Sequence, residues 1–122
     1  MRRTLRAEGP ATRDAIWAAY AHTSRWPTWA PHLRRVSPAA DLAVGLRGQV
    51  RAMLGVRVEF EVTAVDEAAG TWSWSVRSGP LRMVLDHAVG EGWTTLALDG
   101  PGPVVLSYLP VARFALRRLV VA

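Results

Sequence analysis

Across residues 45–99 apolar and polar side chains alternate with a period of two, and short breaks interrupt the alternation. The signal is clearest where Val56, Val58, Phe60, Val62 and Ala64 alternate with Arg57, Glu59, Glu61 and Thr63. That is the period of a strand with one buried and one wet face. The same reading puts Leu46, Gly48, Val50, Ala52 and Leu54 on one face of a strand over 45–54, with Arg47, Gln49, Arg51 and Met53 opposite. Further strands cover 71–77, 81–89 and 93–99, with Trp72, Trp74 and Val76, then Leu81, Met83, Leu85, His87 and Val89, on their apolar faces. Gly55, Asp66–Gly70, Ser78-Gly79-Pro80 and Gly90-Glu91-Gly92 supply the turns. Connections this short join strands to their sequence neighbours in antiparallel pairs. Such a meander exposes one apolar face that needs a cover.

Only the end of the chain can supply that cover. After Gly100-Pro101-Gly102-Pro103, residues Val105, Leu106, Leu109, Ala112, Leu116, Leu119 and Val120 follow helical spacing. Arg113 and Arg117 form a polar pair four apart. Pro110 must either lie in the first turn of this helix or kink it. The front of the chain reads as a strand over 2–8 and a helix from the N-cap Thr12 through Ala21. A short helical turn at Trp26-Pro27-Thr28-Trp29 and a strand over 32–37 follow. The expected fold is α+β: one domain, residues 1–122, with a curved antiparallel sheet wrapped around a C-terminal helix.

Composition narrows the chemistry. With no cysteine, disulfides, thiolate catalysis and cysteine-based zinc sites are excluded. No His-x-x-x-His pair exists, and His22, His32 and His87 lie far apart, so no metal site is expected. No phosphate-cradling loop calls for a nucleotide cofactor. No serine sits in a nucleophile elbow. The basic start, Met1-Arg2-Arg3-Thr4-Leu5-Arg6, lacks the apolar run of a signal peptide, and the apolar tail is broken by arginines. A cytoplasmic protein without a membrane span is expected. The formal charge is +5, and every basic residue is arginine. These arginines are scattered along the chain, which argues against nucleic acid as the partner.

The order of elements resembles the START-like (SRPBCC) superfamily with its helix-grip fold, and most closely its polyketide cyclase/dehydrase-like branch. The phrases that carry the likeness are Asp14-Ala15-Ile16-Trp17, Trp26-Pro27-Thr28-Trp29, Gly45-Leu46-Arg47-Gly48, Phe60-Glu61-Val62-Thr63, Trp72-Ser73-Trp74, Asp86-His87 and Gly102-Pro103. The likeness covers nearly the whole chain. It implies a deep apolar cavity between sheet and helix that holds a small hydrophobic molecule of lipid, polyketide or aromatic type. Catalysis of cyclisation or dehydration is the alternative it implies, and a quinone-binding or ribosome- or RNA-interacting role is a further one. Relatives continue the last helix further, so a shorter lid and a more open cavity are expected. An apolar helix end could then meet a second copy in a homodimer, whether the short end is natural or a truncation.

Within that frame, Trp26 and Trp29 are read as the lip of the cavity, although rings so placed can equally plug the core. Trp72, Trp74, Met83, Leu85, Leu96 and Phe114 are expected as further walls. His87 and Tyr108 are the expected polar handles and the candidate catalytic groups, since an imidazole or phenol among apolar neighbours can orient a carbonyl or move a proton. A core histidine bonded to a backbone group is the competing reading of His87. Arg51 lies on the wet face, and Glu59 and Glu61 are solvated rather than a paired acid and base.

Overall fold

In the computed structural model, residues 1–121 are described. Seven strands form one antiparallel sheet in the order β1-β7-β6-β5-β4-β3-β2. They are β1 (Arg2–Glu8), β2 (Leu33–Ser37), β3 (Arg47–Ala52), β4 (Arg57–Asp66), β5 (Thr71–Ser78), β6 (Leu81–Gly90) and β7 (Trp93–Asp99). Two helices, α1 (Arg13–Ala21) and α2 (Trp26–Trp29), separate β1 from β2, and α3 (Gly102–Leu119) closes the chain. From β2 to β7 each strand pairs with the next, as short turns require. The first strand then pairs with the last, Leu5 opposite Leu96.

Local chemistry sets the helix ends. Thr12 Oγ1 accepts from the Ala15 N–H at 3.1 Å, and Asp14 sits in the first turn of α1. The far end of α1 is capped from outside. Trp29 Nε1 donates to the Ala19 carbonyl at 3.0 Å, and Trp26 Nε1 to the Tyr20 carbonyl at 2.9 Å. Those carbonyls have no partner within the helix. Ile16, Trp17, Ala19 and Tyr20 face the core, as the spacing predicts.

Two expected registers are corrected. Between Val62 and Ala64 the pairing of β4 with β5 shifts, so Val62 opposes Trp74 but Val65, not Ala64, opposes Trp72. Val65 joins the core, and Ala64 is exposed. One unpaired residue flips every later side chain and bends the strand. Likewise β3 stops at Ala52, because Ala52 N–H bonds the Val56 carbonyl at 2.8 Å and closes a tight turn. Leu54 therefore leaves the apolar face and is 99 % exposed.

Helix α3 covers the sheet with Val105, Ala112, Ala115, Leu116 and Leu119. It runs through Pro110 rather than starting there. Leu106, whose carbonyl the missing N–H would have met, is exposed like Pro110, so water can take that carbonyl. The expected free apolar end of α3 is also corrected. Leu119 and Val120 are buried, and the Val120 carbonyl accepts from Ala11 N–H at 3.0 Å. Gly9 makes this approach possible, since a Cβ there would overlap the Val120 carbonyl oxygen. Among the described residues no helix is long and apolar enough to cross a membrane.

Candidate functional site

An apolar pocket of about 200 Å³ lies between the sheet and the first half of α3. Its floor is the inner face of β3 to β6, with Val50, Val58, Trp74, Val76, Met83 and Leu85. It is also lined by His32 and Leu33 around the start of β2, by Arg77 and Arg82 of β5 and β6, and by Val104 and Tyr108 on α3. It reaches Ala52, Ser78 and Leu81 at the end of the sheet that carries the β3–β4 and β5–β6 turns. Four expected wall residues, Trp74, Met83, Leu85 and Tyr108, are brought together here.

The other six sit elsewhere. Trp26 is 1 % exposed and forms a cluster with Phe60, Trp72 and Trp74, its ring 4.9 Å from that of Trp74. Trp72 and Leu96 are likewise buried in the core. Trp29 packs edge-on against Tyr20. These tryptophans occupy part of the space that a deeper cavity would need, so the lip reading of Trp26 gives way to the core reading. Phe114 is 51 % exposed because it lies on the solvent side of α3, with Arg118 over its ring. It walls no cavity.

His87 points to the apolar side as its register predicts, but away from the pocket. Its ring stacks on Trp72 at 3.9 Å between centroids, nearly parallel. Nδ1 lies 3.3 Å from the Trp72 carbonyl oxygen, a long hydrogen bond. Burial pushes its pKa down to about 3, against weaker opposing pulls from that carbonyl and Asp86. The imidazole is therefore neutral at pH 7 and is sealed from any ligand in the pocket.

Besides Arg77, Ser78 and Arg82, the pocket's lining holds a polar pair that sequence reasoning missed. His32 Nε2 and the Tyr108 hydroxyl lie 2.8 Å apart. Burial lowers the pKa of His32 and raises that of Tyr108. Both groups are neutral near pH 7, so one N–H or O–H proton is shared between them. Such a pair can offer a ligand either a donor or an acceptor. His32 lies three residues after Trp29, just ahead of β2. Deeper in the core, the indole N–H groups of Trp72 and Trp74 are buried without a hydrogen-bond partner. An unsatisfied buried donor is costly.

A larger hollow of about 560 Å³ lies on the outer face of the sheet. Its walls include the ion pairs Arg47–Glu61 at 3.4 Å and Arg77–Glu59 at 2.8 Å. Paired surface charges suit solvent better than a hydrophobic ligand. This geometry also keeps Glu59 and Glu61 apart as separate solvated carboxylates.

Similar architectures recur widely among solved structures. The crystal structure of MLL2253 from Mesorhizobium loti superposes with a TM-score of 0.78 at 19% identity, covering 98% of this chain and 96% of that one. Mll3558 from Rhizobium loti gives 0.78 at 17% identity, with 98% and 94% covered. Ara h 8.0201 gives 0.76 at 12% identity, with 98% and 94% covered. Likeness at such low identity establishes the helix-grip fold alone. No curated protein matches the chain in sequence. Residues 4–120 match the family described as polyketide cyclase / dehydrase and lipid transport, and the chain belongs to that family.

Proposed function

We propose that the protein binds a small hydrophobic molecule carrying one polar group, in the pocket between the sheet and α3. The observation that carries this reading is the His32–Tyr108 pair set in walls of Val, Leu, Met and Trp. Apolar walls with few placed polar groups are the usual make-up of ligand sites. The family's span over cyclases, dehydrases and lipid transport supports a ligand of this kind. Size sharpens the class. A volume of about 200 Å³ is below the ~300–1,000 Å³ usual for drug-sized ligands. A single aromatic ring system or a short acyl chain fits this class, and a long polyketide does not without displacing Trp26 or Trp72.

Native mass spectrometry of freshly purified protein, followed by solvent extraction, tests the reading. A stoichiometric apolar adduct is expected, and Val58→Trp, which fills the pocket, removes it. An adduct that persists unchanged in Val58→Trp places the ligand elsewhere and overturns the assignment.

A second reading, catalysis on such a ligand, is favoured by the same pair. Tyr108 O–H backed by His32 can protonate or polarise a carbonyl, with the pocket holding a flexible chain in a reactive fold. Turnover of an extracted ligand that survives both Tyr108→Phe and His32→Ala removes this reading.

A further inference from the structure

The turn from β3 to β4 aims an apolar side chain straight at solvent. Leu54 is 99 % exposed and holds a φ of +64°. A leucine adopts that left-handed conformation only against a steric penalty, whereas glycine would fit freely. Met53 and Val56 beside it are about half exposed, as is Leu81 at the neighbouring β5–β6 turn. Val56 continues the row of Val58, and Leu81 the row of Met83, both of which line the pocket. The apolar wall of the pocket thus runs on past the end of the sheet.

The outer face of the same end is basic. Arg35 stands opposite Arg51, and Arg51 opposite Arg57, so three guanidinium groups share one cross-strand row. Like charges directly opposite one another destabilise a sheet. Nearby carboxylates do not relieve them. Glu59 meets Arg77, Glu61 meets Arg47, and Asp86 and Asp99 both meet Arg2. Among the described residues no carboxylate pairs with Arg35, Arg51, Arg57 or Arg82.

We propose that this end of the sheet docks on anionic lipid bilayers, with Met53, Leu54 and Val56 entering the acyl boundary and the Arg35–Arg51–Arg57 row meeting lipid phosphates. An exposed apolar tip flanked by unpaired arginines is complementary to such a surface on both counts. RNA would engage the arginines but leave Leu54 in water. A second copy would cover Leu54 but bring like charges together. Docking here turns the pocket end towards the bilayer. The inference goes beyond the ligand reading and stands on the surface alone.

The test is co-sedimentation of the full chain with phosphatidylcholine vesicles and with mixed phosphatidylcholine–phosphatidylglycerol vesicles, at low and high salt. Binding to the anionic vesicles only is expected, and it weakens as salt rises. Arg51→Gln and Arg57→Gln each lower the partition coefficient about fivefold. Leu54→Gly lowers it too while the melting temperature holds or rises, which separates lost docking from lost folding. Absence of anionic-lipid binding overturns the proposal, as does undiminished binding by Leu54→Gly. So does preference for an RNA oligonucleotide over the vesicles, or self-association in sedimentation velocity that Leu54→Gly abolishes without any vesicle binding.

Discussion

Replacing Trp26 by alanine separates a core plug from a pocket lip. The ring is 1 % exposed and touches Phe60, Trp72 and Trp74. Full burial of a large aromatic removes ~200 Å² from water, which at ~25 cal/mol per Å² amounts to about 5 kcal/mol. Measured truncations of buried Trp and Phe fall in the same range, about 3–5 kcal/mol. The variant also strips the Tyr20 carbonyl at the end of α1 of its 2.9 Å donor. That adds about 1 kcal/mol. Partial collapse of the neighbours offsets some of the total, so a loss of about 4–5 kcal/mol is expected. Against a typical stability of about 5–15 kcal/mol that leaves a marginal protein. Urea unfolding followed by circular dichroism measures it, and Trp26→Phe serves as the second variant. It keeps part of the ring contacts but loses the N–H and some packing, so its loss is smaller than that of alanine, about 2–3 kcal/mol. A lip residue would behave otherwise: its ring would already face solvent or ligand, and alanine would cost about 1 kcal/mol or less. A loss below about 2 kcal/mol for Trp26→Ala refutes the packing argument and reopens Trp26 as a wall of the binding site.

Further outcomes follow from the same geometry. The unfolded chain takes up a proton on His87 below its ordinary pKa of about 6.5, which the folded state refuses until about pH 3. Stability therefore falls as pH drops through that window, by up to about 1.4 kcal/mol per pH unit; unfolding curves for His87→Gln should lose this part of the slope, and an unchanged slope assigns it elsewhere. Burial also lowers the pKa of His32, so its effect has the same sign, and an NMR titration should find its imidazole neutral at pH 7. Gly9→Ala drives a methyl group into the Val120 carbonyl and should destabilise by about 2 kcal/mol, measured by denaturant midpoint. Leu54→Gly relieves about 1–2 kcal/mol of left-handed strain and loses about 0.5–1 kcal/mol to glycine's freedom in the unfolded chain, so the melting temperature should hold or rise slightly.

Much of the fold was legible because its causes are local. Strand faces came from alternation, strand neighbours from turns too short to do anything else, and the start of α1 from Thr12 and Asp14. The apolar spacing of 105–120 marked α3 as the cover, since no other segment could hide the inner face of the meander. The misreadings came where one backbone event rewrites a regular pattern. The bulge before Ala64 and the tight turn at Leu54 both leave the alternating sequence intact while moving a side chain to the other environment.

The site was less legible. Sequence alone determined that Trp72, Trp74, Met83, Leu85 and His87 turn to the apolar side, because orientation follows from register; for Trp26 it left a lip and a core plug both open. It also put Tyr108 on the closing helix. Only the tertiary structure decided which of these fill the core and which border a void, since that depends on how side chains from distant segments interlock. Trp26 and Trp72 stack on one another and close their part of the interior, whereas Trp74 keeps one flank on the pocket. The pairing of His32 with Tyr108 spans 76 positions, and no spacing rule reaches that far. It exists because the residue just ahead of β2 meets the middle of α3 at one end of the sheet, and that meeting is a property of the packed fold.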